Sequence, residues 1–136
     1  MNSRKIVIAA FIAALYFAST MMLHPISYGP IQMRLATALA GAVPIYGWTA
    51  IMGFVIGQLI SNVFSPLGPI DLLSPIASGS GMILTMYLYR VTKRDVSVLM
   101  GLTIMSMFLT AWVSFMLQVV LNVPWIATFV YLLIGI

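Results

Sequence analysis

Long apolar runs are the feature of this sequence that most limits what the chain can fold into. Of its 136 residues, 62% are hydrophobic and 6% are charged. A water-facing protein surface needs roughly a quarter of all residues charged. Apolar runs of about 18 residues or more are typical of helices that cross a bilayer. The sequence therefore predicts an all-α integral membrane protein.

The apolar runs predict a bundle of transmembrane helices and no soluble part. At about 20 residues per span, a chain of this length holds about five or six helices and little else, so residues 1–136 are expected to form a single membrane-embedded domain. The six predicted spans are residues 6–23, 35–46, 49–63, 72–89, 96–121 and 126–136. The second of these is too short to cross upright as a regular helix.

The basic residues predict the orientation of the bundle. Five of the six basic residues form two clusters, Arg4-Lys5 and Arg90-Lys93-Arg94, and Arg34 is the exception. Basic clusters of this kind stay on the cytoplasmic side of a membrane, and six alternating crossings bring both clusters to that side. The N- and C-termini are therefore predicted to be cytoplasmic. Because most of the basic residues are such membrane anchors, the formal net charge of +4 suggests neither nucleic acid nor an acidic substrate as a partner.

Two segments of broken backbone on the outer side predict a binding site. Residues 24–34 hold two prolines and a glycine, and residues 62–71 hold two more prolines and another glycine. Lipid tolerates irregular backbone only where it is buried in protein or lines a cavity. An arginine at membrane depth needs a partner or a function, and Asp71 is the acid on that side that can pair with Arg34. The residues expected to bind a ligand are Gln32, Arg34, Asn62 and Asp71, with Tyr28 stacking on it or gating the site.

Several kinds of chemistry are absent from the sequence. There is no Gly-x-x-x-x-Gly-Lys-Ser/Thr phosphate loop, so the chain cannot drive transport with an ATPase of its own. His24 is the sole histidine and there is no cysteine, so neither a metal site nor a cofactor is expected. The eleven methionines are interpreted as packing filler rather than as copper ligands. Two other classes of function stay open: a membrane-embedded enzyme using His24 and Asp71, and a purely structural subunit.

Small residues in the first span predict a close approach of another helix. Ala9 and Ala13 form one stripe, and a second stripe consists of Ala10, Ala14 and Ala18. Such small-xxx-small patterns let two backbones come together in a membrane. The partner is either another helix of this chain's own bundle or a different membrane subunit.

Both broken segments resemble those of a known transporter family. The residues concerned are Pro25-Ile26-Ser27-Tyr28-Gly29-Pro30-Ile31-Gln32-x-Arg34, Ala38-Leu39, the stretch 57–62, and Ser65-Pro66-Leu67-Gly68 followed by Asp71. They are similar to the QueT family, whose members are substrate-binding S components of energy-coupling factor (ECF) transporters assigned to queuosine precursors. The resemblance covers about residues 10–90, and the last two spans match only as apolar helices.

The resemblance implies a six-helix S component in the cell membrane that captures a deazaguanine-type base from outside. It implies partners as well: a transmembrane coupling subunit and two ATPase subunits that supply the missing motor. The first helix would dock on these partners through Ala10, Ala14 and Ala18, and the loop after it would close over the ligand. The alternative within this class is an S component for another vitamin or heterocycle.

One residue departs from the family pattern. The pattern carries a glutamate before Ala-Leu, where this chain has Thr37. A carboxylate accepts the adjacent N–H donors of a guanine-like edge as a charge-assisted pair, and a threonine hydroxyl cannot. We therefore keep Thr37 among the expected ligand contacts and draw two alternatives: either Asp71 takes over the role of the acid, or the ligand differs from the usual one.

Overall fold

The computed structural model describes residues 2–27, 35–66 and 68–135, and the structural statements below concern these residues. Their regular structure is helical throughout. The α-helices are α1 (Ser3–Met22), α2 (His24–Ser27), α3 (Val43–Tyr46), α4 (Trp48–Val63), α5 (Ser74–Thr92), α6 (Asp95–Leu121) and α7 (Trp125–Gly135). Two 3-10 helices, Leu35–Ala42 and Gly68–Leu73, precede α3 and α5.

Three helical stretches in the described part of the chain are long and apolar enough to cross a membrane. They are Ser3–Met22, Gly68–Thr92 and Asp95–Leu121. The other three predicted spans correspond to shorter elements: the 3-10 helix with α3, the 16-residue α4 and the 11-residue α7. The all-helical prediction is confirmed, whereas the count of six spans and the orientation of the termini stay predictions.

The helix boundaries follow from local sequence. α5 begins with Ser74-Pro75. Proline fits the first turn of a helix, because a backbone N–H at that position would have no carbonyl partner within the helix. α6 is capped at its C-terminal end by Asn122, whose φ of 51° is the left-handed conformation typical of a helix C-terminus. The Asn122 N–H donates to the Gln118 carbonyl at 3.0 Å, and Pro124 prevents the helix from continuing.

The short second predicted span is a 3-10 helix rather than a regular α-helix. A 3-10 helix rises about 2.0 Å per residue against about 1.5 Å in an α-helix. The eight residues of Leu35–Ala42 therefore reach about 16 Å instead of about 12 Å. Ala40 in this segment and Val43 in α3 are fully buried. The stretched geometry lets a segment of twelve residues, 35–46, return the chain along α1 before α4 begins.

Close contacts define the relative directions of the long helices. Gly53 and Gly57 of α4 lie against Ala9 and Ala13 of α1 in the same order, so these two helices run parallel. α4 and α5 run antiparallel, and so do α5 and α6, where Gly81 meets Met105. Both basic clusters therefore lie at the same end of the bundle.

The core lies where α1, α4, α5, α6 and the 3-10/α3 segment meet. Tyr16 and Phe54 pack there edge to face with their ring centroids 4.7 Å apart. Three methionines, Met82, Met86 and Met105, belong to the same buried cluster. Their position agrees with the interpretation of methionine as packing filler in irregular apolar space.

Candidate functional site

A row of buried polar side chains lies between α4 and α5, towards the end of the bundle away from the basic clusters. We call it the polar seam. Its members are Gln58 and Asn62 of α4, Asp71 of the second 3-10 helix, and Ser74 and Ser78 of α5. Each of them is at most 2% exposed. Polar groups at this depth in an apolar bundle need partners, and they mark candidate ligand or ion sites.

Hydrogen bonds across the polar seam connect its two sides. The Asn62 side-chain Nδ2 donates to the backbone carbonyl of Asp71 at 2.8 Å. The Ser74 hydroxyl donates to the Asp71 carboxyl oxygen Oδ1, and the Ser78 hydroxyl donates to Gln58 Oε1. The carboxyl group of Asp71 is thus held at a defined place at the start of α5, with its backbone tied to the end of α4.

The turn between α4 and the second 3-10 helix makes this arrangement possible. Gly68 has a φ of 75°, a conformation that residues with a Cβ rarely adopt. Its N–H donates to the Ser65 carbonyl at 3.3 Å. The chain therefore reverses within a few residues after α4, and Asp71 returns to lie beside Asn62. Gly68 and the proline that follows it, Pro69, thus form the turn that places Asp71 in the polar seam.

The structure brings together two of the residues that the sequence predicts as ligand contacts, Asn62 and Asp71. Thr37 lies in the first 3-10 helix, but its side chain is outside the described part. Tyr28, Gln32 and Arg34 lie outside the described residues, and so does the expected pairing of Arg34 with Asp71. The ligand-binding role of these residues stays a prediction.

Three members of the polar seam were not predicted as site residues: Gln58, Ser74 and Ser78. The spacing of these residues in the sequence could have indicated that they belong to the site. Gln58 and Asn62 are four residues apart in an apolar helix, and Ser74 and Ser78 repeat the same interval in the next. Residues four apart share one face of an α-helix. A polar face at helical spacing inside an apolar span therefore indicates a site more strongly than any one polar residue.

The two stripes of small residues in α1 have different surroundings. Ala9 and Ala13 are buried, and their backbone atoms lie where a Cβ on Gly53 or Gly57 would stand. Of the two alternatives that the sequence leaves open, this stripe therefore packs against another helix of the same chain. The other stripe, formed by Ala10, Ala14 and Ala18, is exposed on the far side of α1. Its docking role stays a prediction.

The residues of the enzyme hypothesis differ in their exposure. His24 is exposed at the start of α2, whereas Asp71 is completely buried. Among the described residues, the structure contains no group of three or more His, Asp or Glu side chains that could hold a metal ion.

Comparison with known proteins identifies the family. No curated protein and no solved structure matches the chain. The family model described as QueT transporter matches residues 6–136, a longer stretch than the predicted 10–90 and one that includes the last two helices. This match, together with the long apolar helices, indicates a membrane-embedded transporter of a small molecule rather than an enzyme. The chain belongs to the QueT transporter family.

Proposed function

We propose that the chain is the substrate-capture subunit, or S component, of an ECF-type importer in the cell membrane. Its proposed substrate is a queuosine precursor with a deazaguanine base. The observation that carries the proposal is the polar seam, which sets a buried carboxyl group and two amide side chains into an otherwise apolar bundle. The family assignment supports transport of a small molecule by the same chain.

The chemistry of the polar seam supports a planar heterocycle with N–H donors along one edge. A carboxylate accepts two adjacent donors, and charge-assisted bonds of this kind are about twice as strong as neutral ones. Where the family pattern has a glutamate, this chain has Thr37, so Asp71 is the acid proposed to take its role. The second acid of the sequence, Asp95, lies at the start of α6, at the other end of the bundle.

The proposed partners are suggested by two features: the sequence has no phosphate loop, and α1 exposes a stripe of alanines. Without a phosphate loop in its sequence, the chain needs ATPase subunits and a transmembrane coupling subunit for uptake. The exposed stripe of Ala10, Ala14 and Ala18 offers a face where a second membrane helix can approach closely. We propose this stripe as the docking face.

Thr37, which replaces the glutamate of the family pattern, supports a second candidate: an S component for a different vitamin or heterocycle.

Isothermal titration calorimetry on the purified protein with a deazaguanine base tests the proposal. Asp71→Asn keeps the shape of the side chain but removes its charge and one acceptor. Loss of hydrogen bonds to a charged group costs about 1.5–3 kcal/mol each, so the affinity should fall by at least about tenfold. Arg34→Ala should also lose binding.

Asp95→Asn is the matched control, because it makes the same chemical change at an exposed position at the other end of the bundle. It should bind like the wild type. A folded Asp71→Asn variant with wild-type affinity would remove Asp71 from the site. Binding of another heterocycle in place of the deazaguanine base, revealed by native mass spectrometry of the purified protein, would favour the second candidate.

A further inference from the structure

The end of the bundle away from the polar seam carries an open cleft with two basic side chains. The cleft has a volume of about 340 Å³ and lies between the start of α1, α3, the start of α4 and the last turn of α5. Lys5 and Arg90 contribute positive charge from two different helices. Three aromatic side chains, Tyr46, Trp48 and Tyr89, form part of its walls.

The charge at this end of the bundle is unbalanced. Five basic residues lie here and one acid, Asp95; the basic residues are Arg4, Lys5, Arg90, Lys93 and Arg94. In the part of the chain that the structure describes, none of the five forms an ion pair with Asp95. Lys5 and Arg90 line the same cleft, and like charges that share one cleft repel one another. An anion bound among them would relieve that repulsion.

The aromatic and basic side chains of the cleft are of the types that concentrate at the surface of a bilayer. Tyr46 and Trp48 are about half exposed, and they flank Gly47, whose φ of 57° allows the sharp turn between them. Tyrosine and tryptophan concentrate at the headgroup level of membranes, and Lys and Arg near helix ends extend to the same level. The cleft therefore combines the residues typical of headgroup depth with an excess of positive charge.

We propose that this cleft binds the phosphate headgroup of an anionic phospholipid from the leaflet at that end. Arg90 would offer its guanidinium fork to the phosphate oxygens, since that geometry matches phosphate in a bidentate way. Lys5 would supply the second cation from α1, and Trp48 would lie along the glycerol region of the lipid. Basic pockets between transmembrane helices are known to bind such headgroups. This site is separate from the polar seam and does not depend on the transported substrate.

Fluorescence quenching in vesicles tests the proposal directly. The chain has three tryptophans, so Trp112→Phe with Trp125→Phe leaves Trp48 at the cleft as the sole reporter. This protein is placed in phosphatidylcholine vesicles with increasing amounts of brominated phosphatidylglycerol or, for comparison, brominated phosphatidylcholine. Two cationic contacts predict a preference of roughly 10- to 30-fold for the anionic lipid. The preference should disappear in Lys5→Gln/Arg90→Gln.

A second pair of substitutions tests whether the lipid preference comes from the cleft itself or from the positive charge of this end of the bundle as a whole. Lys93→Gln/Arg94→Gln removes the same two charges from the same end of the bundle, but neither residue lines the cleft. This variant should keep most of the preference. Equal loss in the two double variants would overturn the proposal, and so would a preference that survives Lys5→Gln/Arg90→Gln.

Two measurements on the reporter protein with an intact cleft make the test independent of how the charge variants fold. The lipid preference should weaken at about 1 M salt, where the Debye length is about 3 Å. A preference unchanged at that salt would contradict an electrostatic headgroup site. Inorganic phosphate at millimolar concentration should leave the quenching by brominated phosphatidylglycerol unchanged. Displacement of the lipid by phosphate would show that the cleft takes free phosphate instead.

Discussion

Substitution of Gly53 by alanine tests the contact between α1 and α4 most sharply. A Cβ added at Gly53 would stand 2.5 Å from the carbonyl oxygen of Ala9 and 3.1 Å from its Cα. Both are backbone atoms, which cannot rotate away as a flexible side chain would. Ordinary van der Waals contact of a Cβ begins at 3.4 Å, so the two helices must separate locally by about 0.9 Å.

The energetic cost of this separation can be worked out from the contacts that it loosens. A gap of about 0.5–1 Å forfeits a quarter to a half of each dispersion contact, and a buried residue makes on the order of 50 such contacts of about 0.1–0.2 kcal/mol. Loosening one residue's share therefore costs about 2–4 kcal/mol. Alanine's better helix propensity returns about 1 kcal/mol. The expected net loss of stability is about 1–3 kcal/mol, within the range measured for overpacked cores.

Unfolding by sodium dodecyl sulfate in mixed micelles, followed by circular dichroism, measures this free energy. Gly41→Ala is the matched control, since a Cβ at Gly41 meets no atom within 4 Å. It should be neutral or stabilising by about 0.4–1 kcal/mol, because alanine restricts the unfolded chain more than glycine does. If Gly53→Ala and Gly41→Ala unfold at the same detergent fraction, the close parallel packing of α1 and α4 is wrong.

Two further predictions concern the polar seam and the exposed stripe. Asn62→Ala removes the donor to the Asp71 carbonyl and should lower the free energy of unfolding by about 1–3 kcal/mol in the same assay. The control Gln118→Ala removes an exposed amide and should change that free energy little. Equal losses in the two variants would show that the Asn62 hydrogen bond does not stabilise the fold. Ala14→Leu should abolish co-purification with the coupling subunit and leave ligand affinity unchanged, while Ala127→Leu on the exposed face of α7 should retain the complex. A complex that survives Ala14→Leu would show that the stripe is not the docking face.

Much of the fold follows from local sequence, because local rules govern helix boundaries. The apolar runs predict where α1, α5 and α6 lie, to within a few residues at each end. Pro124, in the turn after α6, prevents that helix from continuing. Pro75 is in the first turn of α5, where proline is well tolerated. Asn62 and Asp71 could be predicted as neighbours, since they bound one short broken segment and both are polar in an apolar context.

The rest of the candidate site was harder to predict, for a reason specific to membranes. In water, a polar face and an apolar face show which side of a helix is buried. In lipid, both sides of a helix are apolar, so the apolar residues of a span do not show which side faces the core. The spacing of Gln58 and of Ser78 indicates a polar face on each helix, but only the packing of α4 against α5 brings the two faces together in a hydrogen bond.

The sequence by itself determined that this protein is a helical membrane transporter of the QueT family, because hydropathy and the two broken segments are properties of the chain read in order. Only the tertiary structure decided which alanine stripe packs inside: Ala9 and Ala13 lie against Gly53 and Gly57, while Ala14 faces outward. It also decided that α1 and α4 run parallel and that a 3-10 segment returns the chain between them. The two stripes are chemically alike, so only the position of the neighbouring helix distinguishes them.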